Sequence, residues 1–227
     1  MTGQLRFADA REAADLAAFL GRLLHYDRAA AVRLQAGGGA LAVFGRPPSF
    51  EVLAIRTARL AEPAELDLTV SAGQLLESLD ETTGTAAVPA AVTGPPWAGV
   101  LPPRGGWEEV PGLPPADAIR AAVAAAVAEF RARDEALPAD RRTRAERDRI
   151  GREIWSRTLA GTELPLRAVH ASQALGFLPP DRAARPGASE PVALFTAGSW
   201  LRLRTPYGSI ATRRPGGGLG ALQVRPL

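Results

Sequence analysis

The 227 residues are 46% hydrophobic, enough for an ordinary buried core, which argues against a disordered chain. The absence of cysteine excludes disulfides, thiolate catalysis and cysteine-held zinc or iron–sulfur centres together. The net charge is only +3, but residues 1–112 hold nine Arg against thirteen acids while residues 113–227 hold eighteen Arg against eleven, so an acidic half precedes a basic one.

Asp9 followed by Glu12 forms a capping box, and Leu16, Phe19, Leu20, Leu23 and Leu24 recur at helical spacing, which predicts a helix over residues 10–24. Residues 30–34, 40–44, 50–57 and 66–70 read as short strands, the first three joined by the Gly37, Gly38, Gly39 turn and the Pro47, Pro48 loop. Ser71 with Gln74 is a second capping box and opens a short helix carrying Leu75, Leu76 and Leu79. Residues 1–93 are thus expected to be an α+β unit, an N-terminal helix with a small antiparallel sheet.

Residues 94–115 are rich in proline and glycine and hold Trp97 and Trp107, so they read as a connector. Those tryptophans either pin the connector to a core or present an aromatic, proline-rich site for a protein partner or a second copy. The first reading is favoured because such large rings are highly buried on average.

The third segment, residues 116–227, reads as a helical unit with a C-terminal basic hairpin. Ile119, Val123, Val127 and Phe130 mark one face of a helix over 116–133, and Ile150, Ile154, Trp155 and Leu159 mark another ending at Gly161. The seven arginines from Arg141 to Arg157 are interleaved with Glu146, Asp148 and Glu153, the pattern of a solvated helix surface. Pro165 opens and Gly176 closes a third helix, with Ala168, Val169, Ala171, Ser172 and Leu175 on one side and Arg167, His170 and Gln173 on the other. In residues 200–213, Leu201 and Leu203 alternate with Arg202 and Arg204 before a Thr205, Pro206, Tyr207, Gly208 turn, which predicts a hairpin.

The order from Ile154 to Leu178, closing on Phe177 and Leu178, resembles the helix, turn and recognition helix of winged helix-turn-helix DNA-binding domains, with the hairpin in the wing's place. The resemblance implies double-stranded DNA as a partner. Arg167, His170 and Gln173 would lie on the recognition helix, with Arg167 and Gln173 reading base edges. Arg202, Arg204, Arg213 and Arg214 would meet backbone phosphate. Leu166 departs from the pattern by falling on the polar side.

Neither histidine, His25 or His170, lies in a nucleophile-elbow, zincin or phosphate-loop context, and Gly216, Gly217, Gly218 and Gly220 lack a following helix. No catalytic residue, cofactor or metal is expected. No apolar stretch suits a membrane span, so the chain reads as cytoplasmic. The leading expectation is a non-catalytic binding or regulatory protein that touches DNA. The alternatives are a protein-interaction or scaffold module using Trp97 and Trp107, and a hydrolase with a carboxylate site, which needs no local motif.

Overall fold

The computed structural model describes residues 3–48, 50–178 and 192–214; the glycines at 216–220 lie outside them. In chain order the elements are β1 (Gln4–Arg6), α1 (Ala10–Tyr26), β2 (Ala31–Gly37), β3 (Ala40–Gly45), β4 (Leu53–Arg59), β5 (Leu66–Ser71), α2 (Ala72–Ser78), β6 (Leu79–Asp80) and β7 (Thr85–Ala87). A 3-10 turn at Pro96–Gly99 leads to β8 (Glu108–Val110), α3 (Ala116–Glu135), α4 (Arg144–Ser156), α5 (Leu166–Ala174), β9 (Ala193–Ala197), β10 (Trp200–Thr205) and β11 (Gly208–Arg213). The fold is α+β, as the sequence implies.

Local chemistry sets the helix starts. Asp9 accepts from the Glu12 amide at 3.0 Å, Ser71 from Gln74 at 3.4 Å and Thr143 from Glu146 at 3.3 Å, each satisfying an amide with no partner inside its helix. α4 ends at Ser156 rather than Gly161, because Thr158 bridges Pro165 and Leu159 bonds back to Leu164.

Two antiparallel sheets form. β1, β7 and β6 make a small one, and the other has eight strands in the order β5-β2-β3-β4-β11-β10-β9-β8. The eight-stranded sheet crosses the expected connector: Ser209, Ile210 and Ala211 of β11 pair with Ile55, Ala54 and Leu53 of β4. Strands from both sides of residues 94–115 therefore share one ladder. One core cluster likewise joins Leu16, Phe19 and Val43 to Ile119, Val169 and Ile210.

All five α-helices among the described residues contribute to the cluster on one face of this sheet. Its other face carries a smaller cluster of Phe44, Leu53, Ile55, Trp200 and Ala211, with Trp97, Leu101 and Trp107 packed against it. The segment at 94–110 is thus a strap across the sheet, held by its indoles.

Ion pairs lace α3 to α4. Glu153 accepts two hydrogen bonds from Arg133, at 2.8 and 2.7 Å, and those bonds, opposed by desolvation, hold its carboxyl down to about 2. A carboxylate whose pKa falls on folding adds stability above its ordinary 4.5 and loses it as pH drops toward the folded value. The α3–α4 contact is expected to loosen as pH falls from 4.5 to about 2. Arg133→Gln should return Glu153 toward the ordinary range, as read by carboxyl-carbon NMR.

Candidate functional site

α5 is where the expected site residues can be compared with the fold. Its apolar side is buried as its spacing demands, with Ala168, Val169 and Ala171 fully covered. Leu166, expected on the polar side, is buried too, because the helix docks on β11 and α3 along a wide stripe. Gln173 is exposed, whereas the Arg167 side chain is only 24% exposed and pairs with Glu51 at 3.5 Å. His170 stacks on Trp155 at 4.4 Å and meets Phe50 edge-on at 5.2 Å, and burial lowers its pKa. Ser172 points into the core on the opposite side, so the two are not a catalytic pair.

The hairpin forms with the expected register, but it is not a wing. A wing projects freely from its helices; here β11 is bonded to β4 and β10 to β9, inside the large sheet. Alternation then sends Arg202 and Arg204 to the face opposite the helices. Arg202 lies over Trp107 at 5.7 Å and Arg204 over Phe195 at 4.7 Å, and both are half-buried. Burial, and next the neighbouring Arg204, lowers the Arg202 pKa. Arg214 pairs with Glu163 at 3.2 Å. Of the expected DNA surface, Arg202 and Arg204 therefore lie on the other face of the sheet from the helix that carries Arg167, His170 and Gln173.

Arg167 and Arg213 do converge. They line a cavity of about 450 Å³ at one end of the strands, with Arg46 after β3, Glu51 before β4, and the indoles of Trp97 and Trp200. Arg213 lies over Trp200 at 4.3 Å and donates to Ser199 Oγ at 2.6 Å, which fixes its guanidinium at the rim. The Nε of Arg167 is buried and lacks a hydrogen-bond partner among the described residues. Three arginines against one carboxylate leave an electropositive pocket with aromatic walls, suited to an anion carried on an apolar body.

Glu51 has a positive φ of 54°, alone among the described non-glycine residues. Such a conformation costs a side-chain-bearing residue energy and is found most often where function needs it. It holds the carboxylate toward Arg167.

Arg46, Glu51 and Trp200 were missed from sequence because no local motif joins them. Arg46 before a Pro-Pro pair and a tryptophan opening a hairpin were the available signals. Trp97 and Trp107, the expected partner site, are half-buried on the sheet, Trp97 as a cavity wall and Trp107 bonded through Nε1 to the Pro103 carbonyl at 3.0 Å. Among the described residues no His, Asp and Glu group could hold a metal ion, and no helix is long and apolar enough to cross a membrane.

The cavity lies where two family matches meet. Residues 1–99 match a domain of unknown function, DUF8010, and residues 102–217, more than half of the chain, match another, DUF8185. The chain belongs to the DUF8185 family. No curated protein and no solved structure matches it. In these terms DUF8185 supplies Arg167, Trp200 and Arg213 to the cavity, and the DUF8010 segment supplies Arg46, Glu51 and Trp97.

Proposed function

We propose that this chain is a non-catalytic binding or regulatory protein that takes a small organic anion into the cavity between its two family segments. The observation that supports this is the convergence of Arg46, Arg167 and Arg213 on one pocket with two indole walls. Guanidinium groups bind phosphate and carboxylate through paired donors, and the tryptophans hold an apolar body. The one carboxylate, Glu51, is engaged by Arg167, which favours recognition over acid–base chemistry.

The reading is tested by calorimetric titration of the full chain with pyrophosphate, a probe of the charged half of the ligand. Saturable binding is expected, weakened at least tenfold, about 1.4 kcal/mol, by Arg46→Glu and by Arg213→Glu. Identical titrations of wild type and both variants, or no binding, would overturn it. Duplex DNA in a parallel arm separates the other reading: salt-sensitive binding lost in Arg202→Glu and Arg204→Glu would restore DNA as the partner.

A further inference from the structure

A second cleft lies on the other side of Arg167. It measures about 660 Å³, within the range of roughly 300–1,000 Å³ typical of small-molecule sites. Its apolar surface is built from Phe50, Phe130 and Trp155, with His170 stacked on the indole. Arg144, Arg147, Arg152 and Arg167 line the same cleft, against two carboxylates, Asp148 and Glu51. Arg147 is tied to Asp134 at 2.8 Å and Arg144 faces Asp148 at 3.8 Å, while Arg152 is exposed at the rim.

The cleft contains one residue that its helix does not explain. Gly151 sits inside α4, where glycine weakens a helix relative to alanine. Neither backbone nor crowding requires it: a methyl group there would touch Trp155 at 3.6 Å and Phe130 at 3.7 Å, ordinary contacts. What glycine does is let the Trp155 and Phe130 rings pack closely on the α4 backbone at the floor of the cleft.

We infer that this cleft is a second ligand site, one that takes a flat-ringed organic anion such as a nucleoside monophosphate. The ring lies against the wall of Phe50, Phe130 and Trp155, and the anionic group meets Arg152 and Arg167. Rings stack on indole and imidazole faces without needing a particular hydrogen-bond pattern, and a guanidinium pair supplies the matching charge.

The test is a calorimetric titration of the full-length Arg46→Glu chain, in which the first cavity is disabled, with AMP, and with adenosine and inorganic phosphate as separate probes. AMP should bind at least tenfold tighter than either fragment. Gly151→Leu, which pushes the Trp155 and Phe130 rings into the cleft, should weaken AMP at least tenfold, and so should Arg152→Glu. Arg213→Glu, also in the first cavity, should leave AMP binding in that background unchanged. Arg152 is exposed, so that variant keeps the test decisive should Gly151→Leu melt early. AMP binding in that background that is absent, no tighter than phosphate, or unaffected by Arg152→Glu would overturn the second site. Arg167 lines both cavities and is left unaltered in every variant, so pyrophosphate binding to the wild type reads the first cavity and AMP binding to Arg46→Glu reads the second.

Discussion

Arg56→Ala is expected to destabilise the chain by about 3 kcal/mol, a fall of roughly 6–12 °C in the thermal midpoint for a chain of this size. Arg56 is a charged residue on the helix-facing side of β4, only 7% exposed. It donates to the Tyr207 carbonyl at 2.7 Å and to Asp15 at 3.0 Å, with Glu12 at 3.7 Å. One guanidinium thus ties α1 to the turn between β10 and β11. Alanine leaves a carbonyl without its donor and takes a cation from two carboxylates on α1. Asp15 is one-third exposed and Glu12 keeps Arg59 at 2.8 Å, so the cost falls at the low end for a broken buried pair. Arg59→Ala is the control: that side chain is 72% exposed, and its loss should barely move the midpoint. Equal melting of the two variants would mean that Arg56 does not carry the joint.

The second large effect is expected at Gly208, which starts β11. A Cβ there would stand 2.7 Å from two carbons of the Phe177 ring. Phe177 is 2% exposed and packs on Phe19 of α1, with ring centroids 5.5 Å apart, so it has no space to yield. Gly208→Ala should therefore cost about 2–3 kcal/mol through overpacking. Phe177→Ala alone should cost about 3–5 kcal/mol by leaving a cavity. Combined, the two should cost clearly less than their sum, because the new methyl enters the space the ring vacated. Strict additivity in urea melts would show that the turn does not rest on that ring.

Arg56 and Gly208 lie on contacts that sequence periodicity could not reveal. α1 was legible because the Asp9–Glu12 box and the leucine spacing are local, and the two sides of α5 followed from helical geometry alone. The pairing of β4 with β11 joins residues some 150 positions apart, and strand alternation says which residues share a face without saying what covers it. Arg202 and Arg204 were expected to meet DNA phosphate for that reason, whereas Trp107 of the strap lies against Arg202 and Phe195 of β9 against Arg204. An arginine directly after Leu53, Ala54 and Ile55 was the available sign of a buried ion pair. Glu51 left no trace in sequence, since its backbone conformation follows from how β4 is entered.

The central claim is that Arg46, Arg167 and Arg213 form one anion site against Trp97 and Trp200. The chain has four tryptophans, and Trp107 lies over Arg202 rather than in the cavity, so the indole N–H resonances are built-in reporters. The most direct measurement is an NMR titration with pyrophosphate that follows them individually. The account predicts that the Trp97 and Trp200 resonances move together and saturate, that Trp107 stays in place, and that Arg213→Glu abolishes the movement. Trp97 and Trp200 resonances that stay fixed, or that move equally in Arg213→Glu, would contradict it.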